Sequence, residues 1–154
     1  MSFWDRLKDN VTSMSASLQN NVSKFKNSDF ADATMAMCAM IAAADGSIDG
    51  NEKAKTAALI MNNDTLKVFP AAELKQKFEF YCSKLSADFD FGRIETLQTI
   101  GKLRKKEDQA RAVIQIGIII GSSDGNFDKD EKKAVRDACN ALGINPAEFD
   151  VQSV

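Results

Sequence analysis

Apolar positions along this chain fall into two kinds of pattern. Two stretches, 35–44 and 113–121, are apolar almost without interruption, while the remainder carries apolar side chains at three- and four-residue spacing. The spaced pattern predicts amphipathic helices that bury one stripe, and the saturated runs predict helices surrounded by protein on every side. Trp4, Leu7, Val11, Met14, Leu18 and Phe25 mark a first helix over 3–25. Its stripe either packs on the rest of the chain or docks on a partner or membrane surface through Phe3 and Trp4. Asn27, Ser28 and Asp29 then form a capping cluster that opens a central helix to about Ala44. Further helices are predicted over 50–61, from Phe69-Pro70 to about Leu85, and from Asp88 to about Leu103. In the second of these, Leu74, Phe78, Tyr81, Cys82 and Leu85 share a face; in the third, Phe91, Ile94, Leu97 and Ile100 are expected to be buried. A second central helix runs from Glu107 to Gly121, where Gly117 and Gly121 would admit a neighbouring backbone. A last long helix opens at Asp128 and stops at Gly143, followed by one turn from Asn145-Pro146. No stretch alternates with period two. The expected fold is all-α: about seven helices around two buried ones, with an N-terminal amphipathic segment at 1–26 and a helical domain over 27–154.

Both saturated runs lead into the same acidic sequence. Asp45-Gly46-Ser47-Ile48-Asp49-Gly50-Asn51-Glu52-Lys53 returns as Asp124-Gly125-Asn126-Phe127-Asp128-Lys129-Asp130-Glu131-Lys132. The pattern implies two copies of a unit, at about 29–62 and 107–143. Each copy is a buried helix, an acidic loop and a surface helix, and a pseudo-two-fold axis is expected to relate them.

Two readings of the loops follow from their residues. Asp49 with Glu52, and Asp128 with Glu131, have the spacing of a helix-capping box, and Gly46 and Gly125 suit the end of the preceding helix. Capping leaves Asp45 and Asp124 unexplained, because each follows a helix C-terminus whose dipole disfavours an anion. The alternative is a cation site. Asp45 to Glu52 matches the second half of a calcium EF-hand loop, but Ile41 and Ala43 stand where its first oxygen ligands belong, as do Ile120 and Ser122 in the second copy. A true EF-hand is thereby rejected. What remains is Asp45, Asp49, Glu52, Asp124, Asp128 and Glu131, an all-carboxylate set that favours Ca²⁺ or Mg²⁺ over Zn²⁺.

Composition narrows the chemistry further. The 154 residues carry a net charge of −2, so a nucleic-acid partner is not expected. The single basic run, 102–106, reads as a solvated helix end. There is no histidine, which removes the usual general base and imidazole ligand. Cys38, Cys82 and Cys139 are few, unpaired in spacing and on helical faces, the pattern of a reduced cytosolic chain. No apolar run reaches the ~20 residues of a membrane span, and no secretory signal is visible.

The doubled D-G-x-(Ile/Phe)-D-x-x-E motif after an Ala/Ile-rich helix, with the opening Ser2-Phe3-Trp4-Asp5-Arg6-Leu7, resembles the tellurite resistance protein TerB family. The resemblance covers essentially the whole chain. It implies an all-helical bundle with an internal repeat and a role in resistance to tellurite and related stress. The expected setting is a cytoplasmic system that includes TerD-like calcium-binding proteins and a TerC-like membrane protein, placing the chain at the inner face of the membrane through a partner. By the same resemblance the six acidic positions are a candidate metal site. The expected role is a non-enzymatic, cation-responsive adaptor. Direct thiol-based detoxification through the three cysteines, and a structural subunit whose loops only cap helices, are the alternatives.

Overall fold

The computed structural model describes residues 22, 24–46, 48–123, 127–149 and 151. The fold is all-α, with six helices, two short 3₁₀ turns and no strand among the described residues. In chain order these are α1 (Ser28–Ala42), α2 (Gly50–Met61), a 3₁₀ turn at Asp64–Val68, α3 (Ala71–Ala87), α4 (Phe89–Gly101), α5 (Glu107–Ser122), α6 (Lys129–Leu142) and a 3₁₀ turn at Pro146–Phe149.

Capping residues set the boundaries as the pattern predicts. Asn27 caps α1, its side chain accepting from the Phe30 N–H at 2.8 Å. Asp49, Asp88 and Asp128 cap α2, α4 and α6 in the same manner. Each satisfies a backbone donor that the first helical turn leaves without a partner. Gly143 ends α6 in the left-handed region, at φ +72°, where a Cβ would be strained. Pro70 stands just before α3 rather than inside it.

α1 is the hub. Twelve of its residues are buried, from Phe30 to Ala42, and it packs on α3, α4, α5 and α6. Alanine and methionine make this possible, because small and flexible side chains let several helices approach one axis. α5 is the second buried helix, through Val113, Ile114, Ile116, Ile118 and Ile120. Its Gly117 faces α1, but the group lodged there is the Met37 side chain, whose Cγ would lie 2.8 Å from a Cβ, rather than a backbone. α3 buries the five expected residues, Leu74, Phe78, Tyr81, Cys82 and Leu85.

α4 meets the expected face in part: Ile100 is buried and Leu97 partly buried on the core, but Phe91 is 69% exposed and Ile94 48% exposed, while Gly92 and Thr96 are buried. The cause is a close approach to α3: a Cβ on Gly92 would lie 2.5 Å from the Lys84 carbonyl oxygen. Burying Phe91 instead would gain about 2–3 kcal/mol of apolar transfer. Turning the helix to do so would pull Gly92, Thr96 and Ile100 out of contact together, so the small-residue face wins.

Of the N-terminal segment at 1–26, only Val22 and residues 24–26 are described. Val22 is fully buried, and the Phe25 ring lies 5.4 Å from Phe30, which stacks on Phe69 at 6.1 Å. The expected stripe from Trp4 to Leu18 lies outside the described residues. No helix among the described residues is long and apolar enough to cross a membrane.

Candidate functional site

The acidic loops begin where the two buried helices stop. α1 ends at Ala42, and Gly46, three residues beyond the Ala43 cap, takes the left-handed conformation at φ +95°. Gly46 is thus a loop residue and not the helix cap that its position in the motif suggests. Asp49 then turns the chain into α2, its Oδ1 accepting from the Glu52 N–H at 2.7 Å. At the other unit, the hydroxyls of Ser122 and Ser123 each donate back to a carbonyl of α5 at 2.6 Å and seal its last turn. Phe127 folds inward and is 6% exposed, as expected of a plug. Asp128 and Glu131 form a complete capping box: Asp128 Oδ1 accepts from the Glu131 N–H at 2.8 Å, and Glu131 Oε1 accepts from the Asp128 N–H at 3.1 Å.

These loops meet. One cleft of about 190 Å³ is walled by Asp45 at the end of α1, Glu52 and Lys55 on α2, and Asp128 and Glu131 at the start of α6. Its floor is apolar, from Ile41, Leu59, Ile120 and Gly121. Four of the six carboxylates expected from sequence therefore face a common space. Asp49 does not line it and is engaged in its cap. Asp124, with Gly125 and Asn126, lies outside the described residues. Ile41 and Ala43, which occupy the missing EF-hand ligand positions, are buried.

Charge in the cleft is visible at Glu52. Burial first, then the negative charges of Asp45 and Asp49, hold its carboxyl above the ordinary 4.5. The Asp49 backbone N–H pulls the other way, and Asp128 adds a further upward push across the cleft. Four carboxylates and the Lys55 ammonium line the cleft over an apolar floor, where charges are screened less than in bulk water.

The donor set suits a hard divalent cation, since its side-chain donors are carboxylate oxygens and the Thr56 hydroxyl. Gly121 adds a shaped feature to it. A Cβ there would lie 2.7 Å from the Phe127 ring and 3.4 Å from Glu131 Oε2. Its absence makes room for the Phe127 ring beside the Glu131 carboxylate, whose other oxygen serves the cap. Among the described residues, however, no three carboxylates stand close enough together to hold an ion as they are placed.

Lys55, Leu59, Ile120 and Gly121 are site residues that the motif did not indicate. Lys55 lies three positions after Glu52, so both point to one side of α2, a signal readable from helical spacing. The cysteines are all buried, and burial pushes each thiol up to about 12, with the neighbouring Cys82 a further cause at Cys38. A thiol so held stays protonated and is a poor nucleophile.

Residues 31–153 match the family described as tellurite resistance protein TerB. A curated relative from an Alcaligenes species, named tellurium resistance protein TerB, is 32% identical over 118 residues, which is 77% of this chain and 97% of that relative. No solved structure matches the chain. The chain belongs to the TerB family of tellurite resistance proteins.

Proposed function

We propose that this chain serves tellurite resistance as a non-enzymatic, divalent-cation-responsive adaptor, with the acidic cleft as its working surface. The observation that carries the reading is the meeting of Asp45, Glu52, Asp128 and Glu131, from loops far apart in sequence, around one cleft. Asp45, Glu52, Asp128 and Glu131 would hold Ca²⁺ or Mg²⁺, with Asp49 adding negative charge from its cap and Asp124 supplying its carboxylate from the second loop. A bound cation there supplies charge neutralisation and a cross-link between two helix–loop–helix units, not reaction chemistry. Partners of stated kind are a TerC-like membrane protein and TerD-like calcium-binding proteins, met in the cytoplasm at the inner membrane face. The buried, protonated cysteines weigh against thiol-based reduction of the oxyanion.

The caps of Asp49 and Asp128 favour a second reading, in which the motif merely starts two helices. Capping does not require Asp45, and it does not require the two loops to face each other. The test is resistance of cells carrying two variants, with folding checked by circular dichroism. The adaptor reading expects Asp45→Asn with Asp124→Asn to lose resistance, and Cys38→Ala, Cys82→Ala, Cys139→Ala to retain it. The reverse result, with both proteins folded, would transfer the activity to the thiols.

A further inference from the structure

α2 stands between two clefts. Glu52, Lys55, Thr56 and Leu59, spaced at three and four residues, face the acidic cleft. Gly50, Ala54, Ala57, Ala58 and Met61 follow the same rule on the opposite side and line an apolar groove of about 530 Å³ against α3. Only Thr56 and Ile60 of the helix are buried, with Ala57 and Leu59 partly buried against the core. The chain enters α2 through Gly46, at φ +95°, and a Cβ on either Gly46 or Gly50 would meet nothing within 4 Å. A helix with few buried contacts and open space at its entry is the kind of element that moves in proteins with switching behaviour.

The opposite wall of the acidic cleft is fixed. α6 buries Ala134, Val135, Ala138, Cys139 and Leu142, and its capping box locks Asp128 and Glu131 to its first turn. Glu52 faces them from the loosely held side, and the carboxylates do not converge as they stand. Of the two walls, α2 buries fewer residues and is the one freer to move.

We propose that α2 is a pivoting arm: when the negative charge of the acidic cleft is offset, α2 swings toward the start of α6, narrowing that cleft and widening the apolar groove along α3. This rests on the cation reading of the cleft and specifies its regulation. Occupancy of one side of α2 sets the width of the other, so the apolar groove reports the charge state of the acidic loops.

Two distances measured by spin labels in the full-length chain test the arm. Asn51→Cys with Ser83→Cys spans the groove side, and Asn51→Cys with Lys129→Cys spans the cleft side; all three positions are exposed. The native cysteines are buried and should remain unlabelled. Each pair is measured with chelator, with millimolar Ca²⁺, and with chelator in a Glu52→Gln background, which removes α2's negative charge without any ion. Calorimetric titration with Ca²⁺ is run alongside. The expected result is a groove distance that lengthens and a cleft distance that shortens by about 2 Å, the scale of helix shifts in switching proteins, with Ca²⁺ or with Glu52→Gln. Shifts with Glu52→Gln alone, and no heat with Ca²⁺, keep the arm and remove the cation from its control. Heat of Ca²⁺ binding with both distances unchanged overturns the arm and leaves the cation reading standing. Neither heat nor shift overturns both.

Discussion

The two helix–loop–helix units carry one motif and are held in different ways. α5 and α6 are firmly held: the capping box is complete, the Phe127 ring seals the floor at Gly121, and α6 ends on a left-handed glycine. α1 is still more deeply buried, yet the α2 that follows it buries only Thr56 and Ile60. The difference lies outside the motif. α6 continues with Ala134, Val135, Ala138, Cys139 and Leu142 on one face, while α2 continues with Ala54, Ala57 and Ala58, which line an open groove instead of filling it. Motif residues thus start the helix and place the acids, and the residues beyond them decide whether the helix is fixed.

That contrast can be broken first in the cores. Leu142→Ala in α6 should cost about 2–5 kcal/mol of stability, the range for a leucine removed from a packed site. Leu59→Ala in α2, half-buried over the cleft, should cost roughly 1 kcal/mol. Chemical denaturation of both variants decides it, and equal losses would mean that α2 is as firmly docked as α6. Hydrogen exchange should agree, with α2 amides exchanging through local opening and α6 amides only with global unfolding.

Caps should follow the same order at smaller scale. Asp128→Ala breaks a reciprocal box and should cost roughly 1–2 kcal/mol, against about 0.5–1 kcal/mol for Asp49→Ala. A larger loss at Asp49 would contradict the proposed order.

A still smaller effect comes from pH. Because the folded state raises the Glu52 carboxyl above its ordinary 4.5, it binds that proton more tightly than the unfolded chain does. The resulting stabilisation is complete below 4.5 and is lost as pH rises through the folded value. Relative to wild type, Glu52→Gln should therefore be equal or more stable at neutral pH, with the advantage vanishing toward pH 4.5. An advantage that grows on acidification would show the sign to be wrong.

Much of this was legible in the sequence where local chemistry decides. Asn27, Asp49, Asp88, Asp128 and Gly143 marked helix ends because capping depends on neighbours within a few residues. The buried face of α3 was legible because its five apolar residues recur at helical spacing. The face of α4 was not, since an apolar stripe of Phe91 and Ile94 outweighs a small stripe of Gly92 and Thr96 in any reading by hydrophobicity. Only the proximity of the Lys84 carbonyl shows that the small stripe must face inward. For the site, the motif supplied the acidic residues, but their meeting in one cleft depends on how α2 and α6 pack around α1 and α5. Lys55 and the Gly121 cradle belong to that long-range geometry.

The most direct test of the central claim, that the acidic cleft is a cation site, is thermal unfolding of wild type and Glu52→Gln, each with chelator and with millimolar Ca²⁺. A ligand that binds only the folded state raises Tm by mass action. The account predicts a Ca²⁺-dependent rise in wild type, and a variant that matches or exceeds wild type in chelator but gains little from Ca²⁺. Equal Ca²⁺ shifts in the two proteins, or none in wild type, would contradict it.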